Sequence, residues 1–236
     1  MGMYEYTLDE KVAVLTMNET RFNINSLTEF LSVLDQIEKD TQAKTLIVRS
    51  SDAKIWSNGI DLDWLLPHVQ KGERKVTDMF SAKLNELLKR ILVYPMITVA
   101  AITGHAFAGG AIMACCFDFR FMRKDRGYFC FPEVDLGIPF LPSFTAMVKK
   151  ALPMDLVEDM QLTARRLTAD ELEARHVIRK ACTMDELLGE AISFAKGLNK
   201  ERSIVSKLKN VLHKDILTVM EIDDPAAIKS LYDSGF

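Results

Sequence analysis

The sequence has few of the residues that build disulfide frameworks or metal sites, with four cysteines and four histidines among 236 residues. No two cysteines form a C-x-x-C pair, and Cys115, Cys116 and Cys130 lie within apolar runs. Together with Cys182 they are expected to be reduced thiols of an intracellular protein. We therefore predict neither a disulfide framework nor a zinc site, and we expect no metal and no redox cofactor.

The sequence also lacks an excess of positive charge and a long apolar run. Its formal net charge is −3, and no basic stripe indicates a nucleic-acid partner. No apolar run is long enough to span a bilayer, so we expect no membrane partner. The first residues, "MGMYEY", lack the basic and apolar regions of a signal peptide, and the last four, "DSGF", are not the S-K-L peroxisomal signal. We expect a cytoplasmic protein, with a peroxisomal location as the alternative.

The hydrophobic pattern alternates between strands and helices over roughly the first 150 residues, which is typical of an α/β fold. "KVAVLTM" (11–17) and "TLIVRS" (45–50) are predicted strands, and the helix between them covers 26–40, with Ser26 and Glu29 as its capping box. From about residue 153 the pattern becomes entirely helical. The other predicted elements are a turn over 55–65, a helix over 73–92, strands over 96–102 and 117–122, and helices over 184–198 and 201–213.

"GHAFAGGAIMACC" (104–116) places a glycine pair, Gly109 and Gly110, at the start of a helix. The segment has neither the Gly-Lys-Ser/Thr of a nucleotide-triphosphate loop nor G-x-G-x-x-G spacing. Two interpretations stay open. In the first, the glycines are steric and allow the helix to approach a strand closely; in the second, the helix N–H groups form an oxyanion hole for a developing enolate or alkoxide. In the second interpretation, Ile60 of "SNGID" (57–61) supplies the other donor.

Glu133 is the candidate for a reactive group, because it lies in the apolar segment "YFCFPEVDLGIPF" (128–140). Desolvation by such neighbours raises a carboxyl pKa toward the range of a general base. A structural role, in which Glu133 pairs with Arg120 or Arg123, is an equal alternative. Asp135 shares a face with Glu133 if the segment is extended.

Four blocks of the sequence, in order, resemble the enoyl-CoA hydratase/isomerase (crotonase) superfamily. "WSNGIDL" (56–62) resembles its F-[SA]-x-G-x-D-[LI] turn, and "PMITVAAITGHAFAGGAIMACCFDFRFM" (95–122) resembles its strand-to-helix block. "FPEVDLGIP" (131–139) resembles its P-E-x-x-L-G-[IL]-x-P loop, and "LTARRLTADELEARHVI" (162–178) is a weaker fourth block. The likeness spans roughly residues 8–180.

The resemblance implies a ClpP/crotonase-like spiral of ββα units over residues 1–180 and a helical trimerisation region over 181–236. It therefore implies a homotrimer or a dimer of trimers. In this family two backbone N–H groups hold the thioester carbonyl of an acyl-CoA, and they correspond here to Ile60 and Gly109. CoA arrives as part of the substrate, so no separate cofactor is implied.

Hydratases of the family use two glutamates, of which the sequence retains one. Glu133 matches the glutamate of the P-E loop, whereas Ile112 occupies the position of the other. Together with "FMRKDRG" (121–127), this pattern most resembles the Δ3,Δ2-enoyl-CoA isomerases, in which one base moves a proton from C2 to C4. The alternatives are a hydratase or another acyl-CoA reaction using a partner such as Asp135, and a non-catalytic acyl-CoA-binding paralogue.

The resemblance also implies a set of substrate-binding residues. The backbone of the first turn contacts the adenine, while Arg21 and Lys54 are candidates for the phosphates, although a lone basic side chain is usually a solvated surface charge. Residues 64–75 correspond to the family's mobile loop, from which Trp64 and Leu65 line the acyl pocket or the core. The full predicted set is Arg21, Lys54, Ser57, Asn58, Gly59, Asp61, Trp64, Leu65, Gly110 and Ile112.

Overall fold

The computed structural model describes residues 2–234, whose strands and helices alternate as the hydrophobic pattern predicts. The strands are β1 (Tyr4–Asp9), β2 (Val12–Met17), β3 (Arg21–Phe22), β4 (Thr45–Ser50), β5 (Ile55–Ser57), β6 (Gly59–Ile60), β7 (Ile97–Ile102), β8 (His105–Phe107), β9 (Phe119–Arg123), β10 (Phe129–Cys130) and β11 (Lys180–Cys182). The helices are α1 (Ile24–Lys39), α2 (Leu62–Gln70), α3 (Arg74–Leu92), α4 (Gly109–Cys116), α5 (Glu133–Leu136), α6 (Pro142–Ala151), α7 (Met154–Thr163), α8 (Ala169–Ala174), α9 (Met184–Lys196), α10 (Arg202–Leu212), α11 (Lys214–Ile222) and α12 (Asp224–Ser234).

The strands form one large and two small sheets that repeat the same unit. The large sheet has the order β1-β2-β4-β7-β9-β11, in which only the β1–β2 pair is antiparallel. The strand that follows each of β4, β7 and β9 joins a second sheet of order β10-β8-β5, while β3 pairs with β6. Each unit therefore gives one strand to the large sheet and one to a small sheet before its helix. This is the predicted crotonase spiral of ββα units.

The inner strands β2, β4 and β7 of the large sheet are buried on both faces, which explains why they are mostly apolar. One face packs against α1 and α3 in the main core. The other face, which includes Val14, Ile47 and Val99, packs against Leu187 and Ala191 of α9. All four cysteines are buried and unpaired, as expected for reduced thiols.

Three local expectations are corrected. Helix α1 begins one turn early: Asn23 is its N-cap and Ser26 is the third helical residue, because the Asn23 side chain accepts from the Ser26 N–H. The segment 64–75 is not a loop, since α2 spans Leu62–Gln70. The tail after residue 150 is not entirely helical, because β11 pairs in parallel with β9. Helix α8 begins with a capping box formed by Thr168 and Glu171.

Candidate active site

The turn that follows β5 is held in place by hydrogen bonds to the segment before β3. The Asn58 N–H donates to the Thr20 carbonyl at 3.0 Å, and the Ser57 hydroxyl donates to the same oxygen at 3.0 Å. The Ser57 oxygen also accepts from the Gly59 N–H at 3.2 Å. Gly59 has φ +73°, a conformation that L side chains rarely adopt. These contacts fix the backbone that carries the Ile60 N–H.

Helix α4 begins directly against this turn. A Cβ added to Gly59 would lie 2.4 Å from the Gly109 nitrogen, and one added to Gly110 would lie 2.3 Å from the main-chain carbonyl oxygen of Ser57. The Cβ position at Gly109 is 3.5 Å from the Ile60 nitrogen. The glycines are therefore required for close packing, and that packing brings the two predicted oxyanion donors together. As the first helical residue, Gly109 has no intrahelical acceptor for its N–H.

Glu133 is the first residue of the four-residue helix α5, and its side chain is buried. The residue is 8% exposed, and its Oε2 atom has no hydrogen-bond partner among residues 2–234. Burial is the main cause that raises the pKa of the Glu133 carboxyl from 4.5 to about 7. A carboxyl with this pKa is available both as a base and as an acid near neutral pH.

Glu133 pairs with neither of the two arginines considered as its structural partners. Arg120 donates to the main-chain carbonyls of Ala114, Phe117 and Val177. Arg123 forms a salt bridge with Asp125 and donates to the carbonyl of Ala53. The assignment of Glu133 as a base stays a prediction, and its burial is consistent with that role.

Glu133, Ile60 and Gly109 line one apolar cavity of about 490 Å³. Ile112 lines the same cavity, so the position of the family's second glutamate is apolar here. Among the residues that the structure describes, Glu133 is the only carboxylate in the lining. The other lining residues are Ile55, Asn58, Leu62, Leu65, Phe80, Ser81, Leu84, His105, Phe107, Ala108, Pro132, Leu136, Ile138, Pro139, Phe140, Leu141, Phe144, Ile228, Leu231 and Tyr232.

Asp135 does not accompany Glu133 into this cavity. The condition under which the two carboxylates would share a face is not met, since residues 133–136 form a helical turn ended by Gly137 at φ +69°. In a helix, residues two positions apart point to different sides. Asp135 is accordingly exposed and does not line the cavity.

The predicted substrate-binding residues fall into three groups. Asn58, Leu65 and Ile112 line the cavity. Ser57, Gly59 and Gly110 form the packed framework behind the two donors. Outside the lining lie Arg21, Lys54, Asp61 and Trp64.

The residues outside the lining have partners of their own. Arg21 forms salt bridges with Asp61 at 3.1 Å and with Asp63 at 2.8 Å. Trp64 packs against Phe80, with ring centroids 5.5 Å apart. Lys54 is exposed. The roles of Arg21 and Lys54 toward CoA phosphates stay predictions.

Sequence reasoning missed the C-terminal wall of the cavity. Ile228, Leu231 and Tyr232 of α12 line it, and the Tyr232 hydroxyl is 2.7 Å from the hydroxyl of Ser81 on α3. The spacing of Ile228, Leu231 and Tyr232 shows that α12 has an apolar face, which was a usable signal. Nothing in that spacing shows which part of the protein the face covers.

The described chain has neither a metal-ligand cluster nor a membrane-spanning helix. Within residues 2–234, no group of three or more His, Cys, Asp or Glu side chains is placed to hold a metal ion. Over the same range, no helix has both the length and the apolar character needed to cross a membrane.

Comparison with known proteins agrees with this geometry. A family model described as enoyl-CoA hydratase/isomerase matches residues 7–230. The chain is 25% identical over 211 residues to enoyl-CoA delta isomerase 3 of Arabidopsis thaliana, covering 87% of this chain and 88% of that protein. It is 32% identical over 211 residues to carnitinyl-CoA dehydratase of Salmonella arizonae, covering 88% and 75% of the two chains. Its fold matches the crystal structure of human mitochondrial delta3-delta2-enoyl-CoA isomerase with a TM-score of 0.89 at 18% identity, covering 99% and 92%.

Proposed function

The chain belongs to the enoyl-CoA hydratase/isomerase family, and we propose that within this family it is a Δ3,Δ2-enoyl-CoA isomerase. One observation carries the proposal: among residues 2–234, Glu133 is the only carboxylate that lines the cavity, and Ile112 stands where a hydratase of the family has its other glutamate. The similarity to a plant enoyl-CoA delta isomerase over 87% of the chain supports it. The substrate is an unsaturated fatty acyl-CoA of the 3-enoyl type.

The reaction needs one proton carrier and one site for negative charge. The Glu133 carboxylate removes a proton from C2 of the 3-enoyl-CoA, and the electron pair of the broken C–H bond delocalises onto the thioester oxygen, in conjugation with the C3–C4 double bond. The N–H groups of Ile60 and Gly109 hold the resulting dienolate oxygen. The Glu133 carboxyl then returns the proton to C4, which leaves a trans-2-enoyl-CoA and an unprotonated Glu133. No atom is gained or lost.

Hydration is the second candidate, because the chain is 32% identical to a dehydratase of carnitinyl-CoA. Adding water across a double bond requires groups that hold and activate that water. Asp135, the partner considered for this role, is exposed and outside the cavity. The described lining therefore favours isomerisation over hydration. The third candidate, a non-catalytic acyl-CoA-binding protein, predicts no turnover of either substrate.

The test of the proposal is to give the purified protein trans-3-hexenoyl-CoA and, separately, trans-2-hexenoyl-CoA, and to identify the products by mass spectrometry and chromatography. We expect trans-2-hexenoyl-CoA from the first substrate, at unchanged mass, and no 3-hydroxyhexanoyl-CoA from the second. Hydration of the second substrate without turnover of the first would exclude the isomerase. The absence of any product would favour the binding protein.

We also propose that the protein assembles as a homotrimer or a dimer of trimers through its C-terminal helices. Helix α10 supports this, because it exposes Ile204, Leu208, Val211 and Leu212 while it buries Lys209. A contiguous exposed apolar face of this kind usually marks an interaction surface.

Light scattering during gel filtration tests the assembly. It should give three or six times the 26.7 kDa chain mass, and Leu208→Lys should lower the measured mass. A monomeric wild-type protein would contradict the assembly.

A further inference from the structure

Helix α4 has its two ends held in different ways. At its start, Ala108 provides no side-chain cap, and the helix is positioned by the glycine packing on the turn of β5 and β6. At its end, Lys150 of α6 donates to the carbonyls of Cys115 at 3.0 Å and Phe117 at 2.8 Å, with a longer contact to Cys116 at 3.4 Å. The last carbonyls of a helix have no intrahelical partner, so these bonds satisfy groups that burial would otherwise leave unpaired.

A second cation binds the same helix end. The Nη1 atom of Arg120 donates to the carbonyls of Ala114 at 3.2 Å and Phe117 at 2.8 Å, while its Nε atom bonds Val177 at 2.9 Å. Arg120 is buried, at 8% exposure. Every main-chain carbonyl from residue 114 to residue 117 therefore receives a hydrogen bond from a cationic side chain. Positive charge at this end also complements the helix dipole.

The position of this helix end affects the other end, because α4 is short and rigid. Eight residues at 1.5 Å each give a rod of about 12 Å. A rotation or sliding of the rod at Phe117 therefore moves the Gly109 N–H, and catalytic donors lose effect with small displacements. Hydrogen bonds from Lys150 and Arg120 oppose both movements.

We propose that Lys150 and Arg120 are positioning residues for the oxyanion hole, which fix the far end of α4 so that the Gly109 N–H stays aimed at the thioester oxygen. The proposal rests on the proposed use of Gly109 as a donor, but it does not depend on whether the reaction is isomerisation or hydration.

The charge on Lys150 gives this role a pH dependence. Burial, followed by the neighbouring Arg120, lowers the pKa of Lys150 to about 8, although Asp118 opposes the shift. The two thiols beside Lys150 stay uncharged in this range, because burial raises the pKa of Cys115 to about 11 and that of Cys116 to about 12.

Two other basic groups face this helix end. Burial lowers the pKa of His213 to about 4. Burial also lowers the pKa of Lys209 of α10, which forms a salt bridge with Asp118 at 2.8 Å. Of Lys150, His213 and Lys209, it is Lys150 that donates to the carbonyls at the end of α4.

The test uses octanoyl-CoA labelled with ¹³C at the thioester carbonyl, a saturated ligand that cannot be isomerised or hydrated. Hydrogen bonds in an oxyanion hole polarise a carbonyl group and shift its resonance. We expect the bound resonance to lie downfield of the free ligand at pH 7 and to move toward the free value with a midpoint near pH 8. This experiment needs no variant. A constant downfield shift up to pH 9.5 would contradict the pH dependence, and the Lys150→Met variant then decides the positioning role.

Lys150→Met tests the same role by substitution, with Lys149→Met as the matched control, because Lys149 is the exposed neighbour on α6. Lys150→Met should reduce the downfield shift and lower kcat about tenfold or more while KM changes less than about twofold, since loss of an oxyanion donor acts on the transition state. Lys149→Met should change none of these. A folded Lys150→Met protein with wild-type shift and kcat would overturn the proposal.

The two proposals fail in different ways. If the wild-type complex shows the pH-dependent shift but does not convert 3-enoyl-CoA, the isomerase assignment fails and the positioning role stands. If bound octanoyl-CoA has no downfield shift at any pH, Gly109 is not a donor, and the positioning role falls together with the oxyanion hole.

Discussion

Replacing Glu133 with Gln is expected to reduce the isomerisation rate by about 10²–10⁴-fold, the usual contribution of a general acid–base group. Gln keeps the shape and volume of the side chain but cannot accept and return a proton. Binding of a saturated acyl-CoA should change little, because the cavity walls are unaltered. The measurements are kcat with a 3-enoyl-CoA and Kd with octanoyl-CoA.

The same substitution should make the protein more stable at alkaline pH. Burial raises the pKa of Glu133 from 4.5 to about 7, so the folded state binds this proton more tightly than the unfolded chain does. The free energy of unfolding of the wild type therefore falls as pH rises from about 4.5 to 7, by at most roughly 3 kcal/mol. Glu133→Gln removes this loss. Its Tm should exceed that of the wild type at pH 8, and the difference should vanish near pH 4.

Catalysis should depend on the same ionisation of Glu133. It requires the ionised carboxylate, whereas the folded state is more stable with the protonated carboxyl. The first step needs the carboxylate, so kcat/KM of the wild type should rise with pH up to about pH 7, and it should fall again above about pH 8 as Lys150 loses its charge. Asp135→Asn is the matched control, because Asp135 is an exposed carboxylate two residues away and outside the cavity. It should leave activity unchanged. If Glu133→Gln kept its rate, or if Asp135→Asn lost it, Glu133 would not be the proton carrier.

The second large effect is expected for Gly59→Ala. The new Cβ would lie 2.4 Å from the nitrogen of Gly109 and 2.7 Å from the nitrogen of Gly110, and backbone atoms cannot move aside as a flexible side chain can. Helix α4 must therefore shift away from the turn, which separates the Ile60 and Gly109 donors. Loss of one such donor costs about 3 kcal/mol of transition-state stabilisation, so kcat should fall about 10²-fold or more.

Gly72→Ala separates this crowding from the cost of the backbone conformation. Gly72 has φ +68°, close to the +73° of Gly59, but a Cβ at Gly72 would meet nothing within 4 Å. Both variants should lose about 1–2 kcal/mol of stability from the left-handed conformation, and only Gly59→Ala should lose activity per folded molecule. Folded fractions come from circular dichroism at the assay temperature. Equal activity losses in the two variants would contradict a role for close packing at the donors.

The sequence allowed the two turns and Glu133 to be predicted, because each depends on local chemistry. Gly59, Gly109 and Gly110 lie at junctions where a side chain would collide with backbone, and such constraints leave a glycine signal. Glu133 was recognisable from its apolar neighbours. That Arg120 does not pair with Glu133 could not be recognised in this way, because the partners of Arg120 depend on how α4 and β9 pack.

Two other features could not be predicted. One depends on a choice between two residues that are equally good helix N-caps, and the other depends on tertiary contacts. Asn23 and Ser26 are both good capping residues, so the start of α1 was ambiguous by one turn until the backbone at Asn23 was known to be extended. The wall formed by α12 lies about a hundred residues from Glu133 in the chain. An apolar helix face predicts burial but does not indicate against what.

The most direct test of the central claim is a crystal structure with a non-reactive 3-enoyl-CoA analogue. We expect the thioester oxygen to accept hydrogen bonds from the Ile60 and Gly109 N–H groups at about 2.7–3.1 Å. We also expect the Glu133 carboxyl to lie within about 3.5 Å of both C2 and C4, close enough for proton transfer at either carbon. A thioester oxygen bound elsewhere, or a second carboxylate beside C3, would contradict the single-glutamate isomerase.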